Sequence, residues 1–165
     1  MNNETAPQFT SYLSFKLEEE VFAVNVSKVL EIQEIRQITK VPRTPAYMRG
    51  VLNLRGNVLP VVDTRIKFGM SPTQDTVNTC ILVLDIQMDN EHLTVGALVD
   101  SVQEVIEIVP EQIGPAPSIG SKFKSEFIKG MGKVNDVFIM ILDMDRVFSS
   151  DELVMVKDSM SEPIS

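Results

Sequence analysis

Apolar and polar residues alternate with a period of two along much of this chain, which is typical of β-strands rather than of helices. Residues 9–17 illustrate the pattern, because Phe, Ser, Leu, Phe and Leu fall on one face and Thr, Tyr, Ser and Lys on the other. Further strand-like segments, separated by turn-forming residues, lie at 21–26, 51–55, 58–62, 79–85, 93–99, 102–108, 127–134 and 137–142. The pattern therefore predicts a mainly β protein with a few short helices.

The segment 48–63 carries the strongest hairpin signal in the chain. Two apolar runs flank the polar sequence Asn-Leu-Arg-Gly-Asn, and Gly56-Asn57 is a common hairpin turn pair. The second run, 58–62, is apolar on both faces, as expected for a strand that is buried on both sides. Arg55 at the end of such a hairpin is held in place, so we expect it to form a structural ion pair or part of a recognition surface.

The two halves of the chain resemble each other. At an offset of 80, six pairs of residues match: Gly50 and Gly130, Val58 and Phe138, Leu59 and Ile139, Val61 and Ile141, Asp63 and Asp143, Phe68 and Phe148. At an offset of 73, residues 29–32 match 102–105, so a loop of different length separates the two sets. The shared order of strand, turn, strand, Asp, short helix and Phe predicts a duplicated β unit.

Each predicted unit has about five strands in roughly 70 residues, which favours a small closed barrel because closure removes exposed edges. A unit of that size buries only about 60% of its unfolded surface. We therefore expect two small five-stranded barrels that share a core at 58–62 and 138–142. The predicted limits are a single domain over 9–165, approximate subdomains 9–69 plus returning segments and 79–150, a disordered lead-in at 1–8 and a frayed tail at 158–165.

Charge and composition narrow the possible partners and locations. The chain has 15 basic and 23 acidic residues, a net charge of −8, and no run of Lys and Arg for a phosphate backbone, so nucleic acid is not an expected partner. No apolar stretch approaches the roughly 20 residues of a membrane helix, and the first residues do not resemble a signal peptide. These features predict a cytoplasmic protein without direct membrane insertion.

The chain shows no recognisable catalytic set, so we expect neither an enzyme nor a cofactor or metal. His92 follows a predicted hairpin turn and Cys80 lies in an apolar strand, where a buried, inert thiol is the default. One histidine and one cysteine are too few for a zinc site. An alternative function, that of a β-barrel ligand-binding protein, would need convergent polar groups, and the predicted groove between the barrels offers chiefly Arg55 and Glu31.

Glu31 is the expected partner of Arg55. It lies among Val29, Leu30 and Ile32, where a lone carboxylate would be costly to bury. Arg55 could form a structural ion pair with Glu31 and also line a binding groove, because a paired arginine can still be part of the groove surface. Both readings stay open from the residues alone.

Residues 47–56 and 58–65 together resemble the signature of the CheW family of chemotaxis coupling proteins, and the resemblance extends to 15–17, 29–32 and 95–100. It implies two SH3-like barrels and a non-enzymatic scaffold. Its partners would be the cytoplasmic tips of membrane chemoreceptors and the regulatory domain of the histidine kinase CheA, in clusters beneath the inner membrane. The alternative within the same fold is an adaptor in a non-chemotaxis chemosensory pathway.

The resemblance also implies roles for individual residues of the first half. Arg55 and Glu31 match positions at the receptor and kinase surfaces, with Asn53 in the same Asn-Leu-Arg-Gly motif. Val29 and Ile32 match an apolar contact on one barrel.

A second kinase contact and a receptor groove follow from the same resemblance. Ile119 matches an apolar anchor on the second barrel, where aromatic residues are familiar, and Gly114 stands where a basic residue is common. The receptor groove would lie between the barrels, with Leu54, Gly50 and Val95 as walls.

Overall fold

The computed structural model describes residues 9–88, 91–115 and 127–148, which form strands joined by short turns. The strands are β1 (Thr10–Leu17), β2 (Glu20–Asn25), β3 (Val29–Glu34), β4 (Met48–Leu54), β5 (Asn57–Asp63), β6 (Cys80–Met88), β7 (Glu91–Val99), β8 (Ser101–Ile108), β9 (Ile113–Gly114), β10 (Ile128–Val134) and β11 (Val137–Leu142). The helices are α1 (Thr64–Lys67) and α2 (Met144–Val147), and single 3-10 turns span Val26–Lys28 and Pro110–Gln112. The predicted mainly β fold with short helices is confirmed.

The strands form two sheets, whereas the approximate subdomains predicted from the sequence are 9–69 plus returning segments and 79–150. One sheet has the order β3-β6-β7-β5-β4 and is built from residues 29–99, which we call the inserted subdomain. The other has the order β8-β1-β2-β11-β10-β9 and is built from 10–25 and 101–142, which we call the flanking subdomain. Within each sheet one pair, β5–β7 or β2–β11, is parallel and the others are antiparallel.

Strand register agrees with the predicted duplication and explains this division. The β4–β5 hairpin pairs Gly50 with Val61, and the β10–β11 hairpin pairs Gly130 with Ile141, with an irregularity just before each glycine. The first hairpin of each repeat, however, pairs with strands of the other repeat. Hairpin β1–β2 pairs with β8 and β11, and hairpin β6–β7 pairs with β3 and β5. Each sheet is therefore completed by strands of both repeats.

Alternate residues of the strands contribute to separate apolar cores. One core is shared by the two subdomains, and from the predicted segments 58–62 and 138–142 it takes Val62, Met140 and Leu142. The shared core takes Phe15 and Phe22 from the flanking sheet and Leu84 and Val95 from the inserted sheet. Phe68, which follows α1, packs between Phe22 and Phe127 with tilted rings at centroid distances of 5.5 and 5.6 Å, and so joins the inserted subdomain to the flanking one.

Residues on the opposite faces of the strands form a second apolar core within each subdomain, separate from the shared core. Leu59 and Val61 pack inside the inserted subdomain, and Ile139 and Ile141 inside the flanking one. The expectation that 58–62 is buried on both sides holds from Leu59 onward. It is wrong at the hairpin end, because Val58 is 51% exposed.

Candidate functional site

The β4–β5 hairpin ends in a two-residue turn with Arg55 and Gly56 both in the left-handed backbone region, at φ +54° and +84°. Such a turn matches the twist of antiparallel strands, and glycine accepts it without steric cost. The Asn53 side chain supports the turn, since its Oδ1 accepts a hydrogen bond from the Gly56 amide at 3.1 Å. The turn lies one residue earlier than the predicted Gly56-Asn57 pair, because Asn57 already pairs with Leu54.

Arg55 and Glu31 form the predicted ion pair across the top of the inserted subdomain. Nη1 of Arg55 donates to Oε2 of Glu31 at 2.6 Å, and Nη2 donates to Oε1 at 2.8 Å, so the contact is bidentate. Gln33 adds a third hydrogen bond to the carboxylate, from Nε2 to Oε1 at 2.5 Å. A planar guanidinium held at two points has a fixed direction, which a lysine could not reproduce.

These hydrogen bonds shift the titration of both partners. The bonds from Arg55, and secondarily from Gln33, lower the pKa of Glu31 from 4.5 to about 2. The bond to Glu31 raises the pKa of Arg55 above its ordinary value. The pair is thus charged throughout the physiological range, although most of the guanidinium faces solvent.

Strand β3 presents apolar side chains to solvent beside this pair. Leu30 and Ile32 are 55% and 44% exposed, whereas Glu31 between them turns toward Arg55. The strand lies at the edge of its sheet, where unpaired backbone groups and exposed apolar side chains favour protein contacts. The sequence suggested the reverse orientation, with a carboxylate among buried apolar residues.

A shallow groove of about 360 Å³ lies beside the Arg55–Glu31 pair and is lined by residues of the β4–β5 hairpin, β3 and β7. Its lining includes Leu30, Glu31, Leu54, Arg55, Val58 and Leu93. Exposed Val58 and Leu30 thus line the same groove as the Arg55–Glu31 ion pair. Sequence reasoning did not single out Leu30, Val58 or Leu93, although the alternation in β3 and the hairpin turn would have placed the first two near Arg55.

The predicted site residues of the first half divide between this groove and the interior. Arg55, Glu31 and Leu54 line the groove, and Ile32 is exposed on the adjoining edge strand. Val29 is half-buried and packs against the shared core instead.

Two of the predicted groove walls lie elsewhere. Val95 is buried in the shared core at 1% exposure, so its side chain is not part of a surface. Gly50 is buried beside Thr39, whose carbonyl oxygen would lie 2.2 Å from an added Cβ, and this close approach is stabilised by the bridge between Thr39 and Val51. Ile119 lies outside the described residues.

The duplication creates a second groove of about 400 Å³ on the flanking subdomain. Its lining includes Ser14, Lys16, Glu104, Val134, Asn135 and Val137. Glu104 corresponds to Glu31 at the offset of 73 and Asn135 to Arg55 at the offset of 80, so the second groove has the carboxylate but no arginine at the turn. Phe138, the counterpart of Val58, is 59% exposed.

The described residues offer little for catalysis. They contain no group of three or more His, Cys, Asp or Glu side chains that could hold a metal ion. Burial raises the pKa of the Cys80 thiol, which disfavours the nucleophilic thiolate. His92 is exposed, with Nδ1 3.0 Å from Oδ1 of Asp85. In the same part of the chain, no helix is long and apolar enough to cross a membrane.

Comparison with known proteins connects this geometry to one family. The family model described as the CheW-like domain matches residues 11–152. The chemotaxis protein CheW of Rhizobium meliloti is 35% identical over 140 residues, covering 85% of this chain and 88% of that protein. CheW of Klebsiella aerogenes is 32% identical over 145 residues, covering 88% and 85%.

A solved structure has the same fold over most of this chain. The scaffolding protein TtCheW from Thermoanaerobacter tengcongensis superposes with a TM-score of 0.77 at 28% identity, covering 92% of this chain and 96% of that one. The two sheets are accordingly two SH3-like subdomains, and the resemblance noted in the Asn-Leu-Arg-Gly segment extends through the fold. The chain belongs to the CheW family of chemotaxis scaffold proteins.

Proposed function

We propose that this chain couples transmembrane chemoreceptors to a CheA-type histidine kinase and does so without catalysis of its own. The observation that carries the proposal is the bidentate Arg55–Glu31 pair in a groove rimmed by exposed Leu30 and Val58. A rigid charged group surrounded by apolar side chains is the usual composition of a binding hot spot. The partner on this side is the regulatory domain of the kinase, docking barrel against barrel along the β3 edge.

The scaffold has two faces, and coupling requires both. A receptor tip is a helical hairpin, and such a hairpin binds by laying apolar side chains into a groove. Individual contacts of this kind are weak, and many of them engaged at once in an array give a stable assembly. The expected location is therefore the cytoplasmic side of receptor clusters beneath the inner membrane.

A matched pair of valines tests the kinase contact. Val58→Asp places a carboxylate in the groove, whereas Val77→Asp changes a valine that is exposed in the 70–78 loop. Titration calorimetry with a purified CheA-type regulatory domain should show at least roughly tenfold weaker binding for Val58→Asp and unchanged binding for Val77→Asp. Equal affinities for the two folded variants would contradict the assignment of this groove.

Coupling itself is tested in a reconstituted assay with receptors and kinase. Arg55→His should leave a folded protein but reduce receptor control of the kinase, because imidazole cannot form the bidentate contact. Full kinase stimulation by this folded variant would count against the role of Arg55. Genome neighbourhood separates a chemotaxis pathway from another chemosensory pathway.

Ile119 remains the proposed anchor for a second kinase contact. Ile119→Asp is expected to weaken higher-order assembly while sparing the contact at Arg55. Receptor clusters of normal size and order in cells carrying this variant would argue against a second contact there.

A further inference from the structure

The chain passes between the two subdomains at two points along the described strands. It leaves the flanking sheet after β2, through the 3-10 turn Val26–Lys28, and enters the inserted sheet at β3. It returns through the single residue Asp100, between β7 and β8. These two crossings are the natural hinge points of the molecule, because any rotation of one subdomain against the other must be absorbed there.

An ion pair is present at the second crossing. Nε of Arg65, in α1, donates to Oδ1 of Asp100 at 2.8 Å, and Nη2 of Arg65 contacts Oδ2. The same carboxylate accepts a hydrogen bond at 2.7 Å from the backbone amide of Glu18, in the turn between β1 and β2. The two charged side chains are only 18% and 19% exposed. Asp100 thus ties a helix of the inserted subdomain to a turn of the flanking one.

The first crossing carries an ion pair of the opposite polarity. Nζ of Lys28 donates to Oδ2 and Oδ1 of Asp145, in α2, at 2.8 and 3.0 Å. The Asp145 carboxylate also accepts a hydrogen bond at 2.9 Å from the backbone amide of Gln87, near the end of β6. Here α2, which follows the last strand of the flanking subdomain, is tied to the 3-10 turn Val26–Lys28 and to strand β6 of the inserted subdomain.

The two arrangements are equivalent under the duplication. Arg65 and Asp145 are related by the offset of 80, and Lys28 corresponds to Ser101, the neighbour of Asp100, at the offset of 73. In each case a charged residue on the short helix meets a residue of opposite charge at the crossing, and a backbone amide of the other sheet donates to the carboxylate. The helix supplies the cation in one case and the anion in the other, so the contact recurs although the charges are exchanged.

We propose that these two ion pairs lock the crossings, hold the subdomains at one angle and thereby fix the relative orientation of the two grooves. Partly buried ion pairs contribute little net stability, but they favour one geometry over others because misaligned charges remain unpaired. Arg65, Asp100, Lys28 and Asp145 are therefore positioning residues. Their importance for assembly rests on the proposed scaffold function, whereas their effect on the angle does not.

The angle can be measured without any partner, by electron–electron double resonance between two spin labels. Suitable label sites are the exposed positions of Glu34→Cys, on β3, and Lys129→Cys, on β10, in a Cys80→Ser background. With both locks intact, the distance distribution should be narrow. Asp100→Asn, which keeps the size of the side chain, combined with Lys28→Gln should give a broadened or two-peaked distribution while circular dichroism still shows a folded protein.

Exchanging the charges provides a rescue that a merely structural defect would not allow. Arg65→Asp with Asp100→Lys copies the polarity found at the first crossing, where the carboxylate on the helix still receives the backbone amide. In the Lys28→Gln background, this exchange should restore the narrow distribution that Asp100→Asn broadens in the same background. A narrow distribution in the folded Asp100→Asn, Lys28→Gln protein would overturn the proposal, as would a swapped pair that stays broad. If Asp100→Asn does not fold, Arg65→Gln replaces it.

The consequence for assembly is measured separately. The variant lacking both locks should bind a single CheA-type regulatory domain with unchanged affinity but form fewer extended assemblies with receptors and kinase. Unchanged assembly by a protein with a broadened distance distribution would overturn the link between angle and assembly. Failure of the unmodified chain to bind the kinase domain would overturn the proposed function and leave the spin-label result intact.

Discussion

Arg55 and Asn135 occupy the same position of two equivalent hairpin turns, and both have a left-handed backbone, at φ +54° and +52°. Asparagine tolerates this conformation well, whereas arginine is uncommon there. Strained positions that persist in a fold are concentrated at functional sites. The comparison within one chain supports the proposal that Arg55 serves binding through its side chain.

Replacing Arg55 by the residue of the equivalent turn should separate folding from binding. Arg55→Asn removes the bidentate contact with Glu31, and relaxation of the backbone offsets this loss, so we expect a melting temperature close to that of the unmodified chain. Affinity for a CheA-type regulatory domain should fall roughly tenfold or more. Differential scanning fluorimetry and calorimetry measure the two effects.

The matched control is Asn135→Arg, which introduces the same side chain at the same backbone conformation in the second groove. This variant should leave binding at the Arg55 groove unchanged. A melting temperature of Arg55→Asn several degrees below that of the unmodified chain would show that the arginine serves the fold.

The lowered pKa of Glu31 predicts how the ion pair responds to acid. Because the folded value, about 2, lies below the ordinary value of 4.5, the contribution of the pair to stability is full above about pH 4.5 and is lost as the pH falls toward 2. Carbon-13 NMR of the Glu31 carboxyl group should show a midpoint near 2. In Arg55→Gln the midpoint should rise toward 4.5, and a midpoint already at 4.5 in the unmodified chain would contradict the bidentate contact in solution.

Substitutions at Gly50 and Gly56 distinguish the cost of a steric clash from the cost of an unfavourable backbone conformation. Both have positive φ, +149° and +84°, but an added Cβ would lie 2.2 Å from the Thr39 carbonyl oxygen at Gly50 and would meet nothing within 4 Å at Gly56. Gly50→Ala should lower the free energy of unfolding by on the order of 3 kcal/mol, and Gly56→Ala by about 1 kcal/mol. Urea denaturation measures both, and equal losses would show that strain alone decides.

Two phenylalanines test the shared core. Phe68 is 2% exposed and packs against the rings of Phe22 and Phe127, so Phe68→Ala should lower the free energy of unfolding by about 3–5 kcal/mol. Both subdomains should then unfold in one transition, because each provides part of the cavity wall. Phe138→Ala, at an exposed position, should change the same quantity by less than about 0.5 kcal/mol. Two separate calorimetric transitions in Phe68→Ala would contradict a single cooperative core.

The Arg55–Glu31 ion pair was predictable from the sequence. The Glu31 carboxylate lies among apolar residues and needs a partner of opposite charge, and Arg55 is held at the end of a hairpin. Val95 was misplaced because 95–99 is apolar without interruption, and such a run does not show which residues face the shared core. Alternation carries that information only where one face is polar.

The duplication was also visible in sequence, but the exchange of hairpins between its halves was not. Matched residues such as Gly50 and Gly130 show that two units are alike, and they do not reveal which copy of β1–β2 pairs with which copy of β11. That choice is made by long-range pairing in three dimensions.

The exchanged hairpins make the molecule a single-chain counterpart of a domain-swapped dimer, in which each half completes the other and the 70–78 segment joins them. Neither half contains a complete sheet by itself. Joining the two halves in one chain also allows equivalent positions to differ, so one hairpin turn has Asn135 where the other has Arg55.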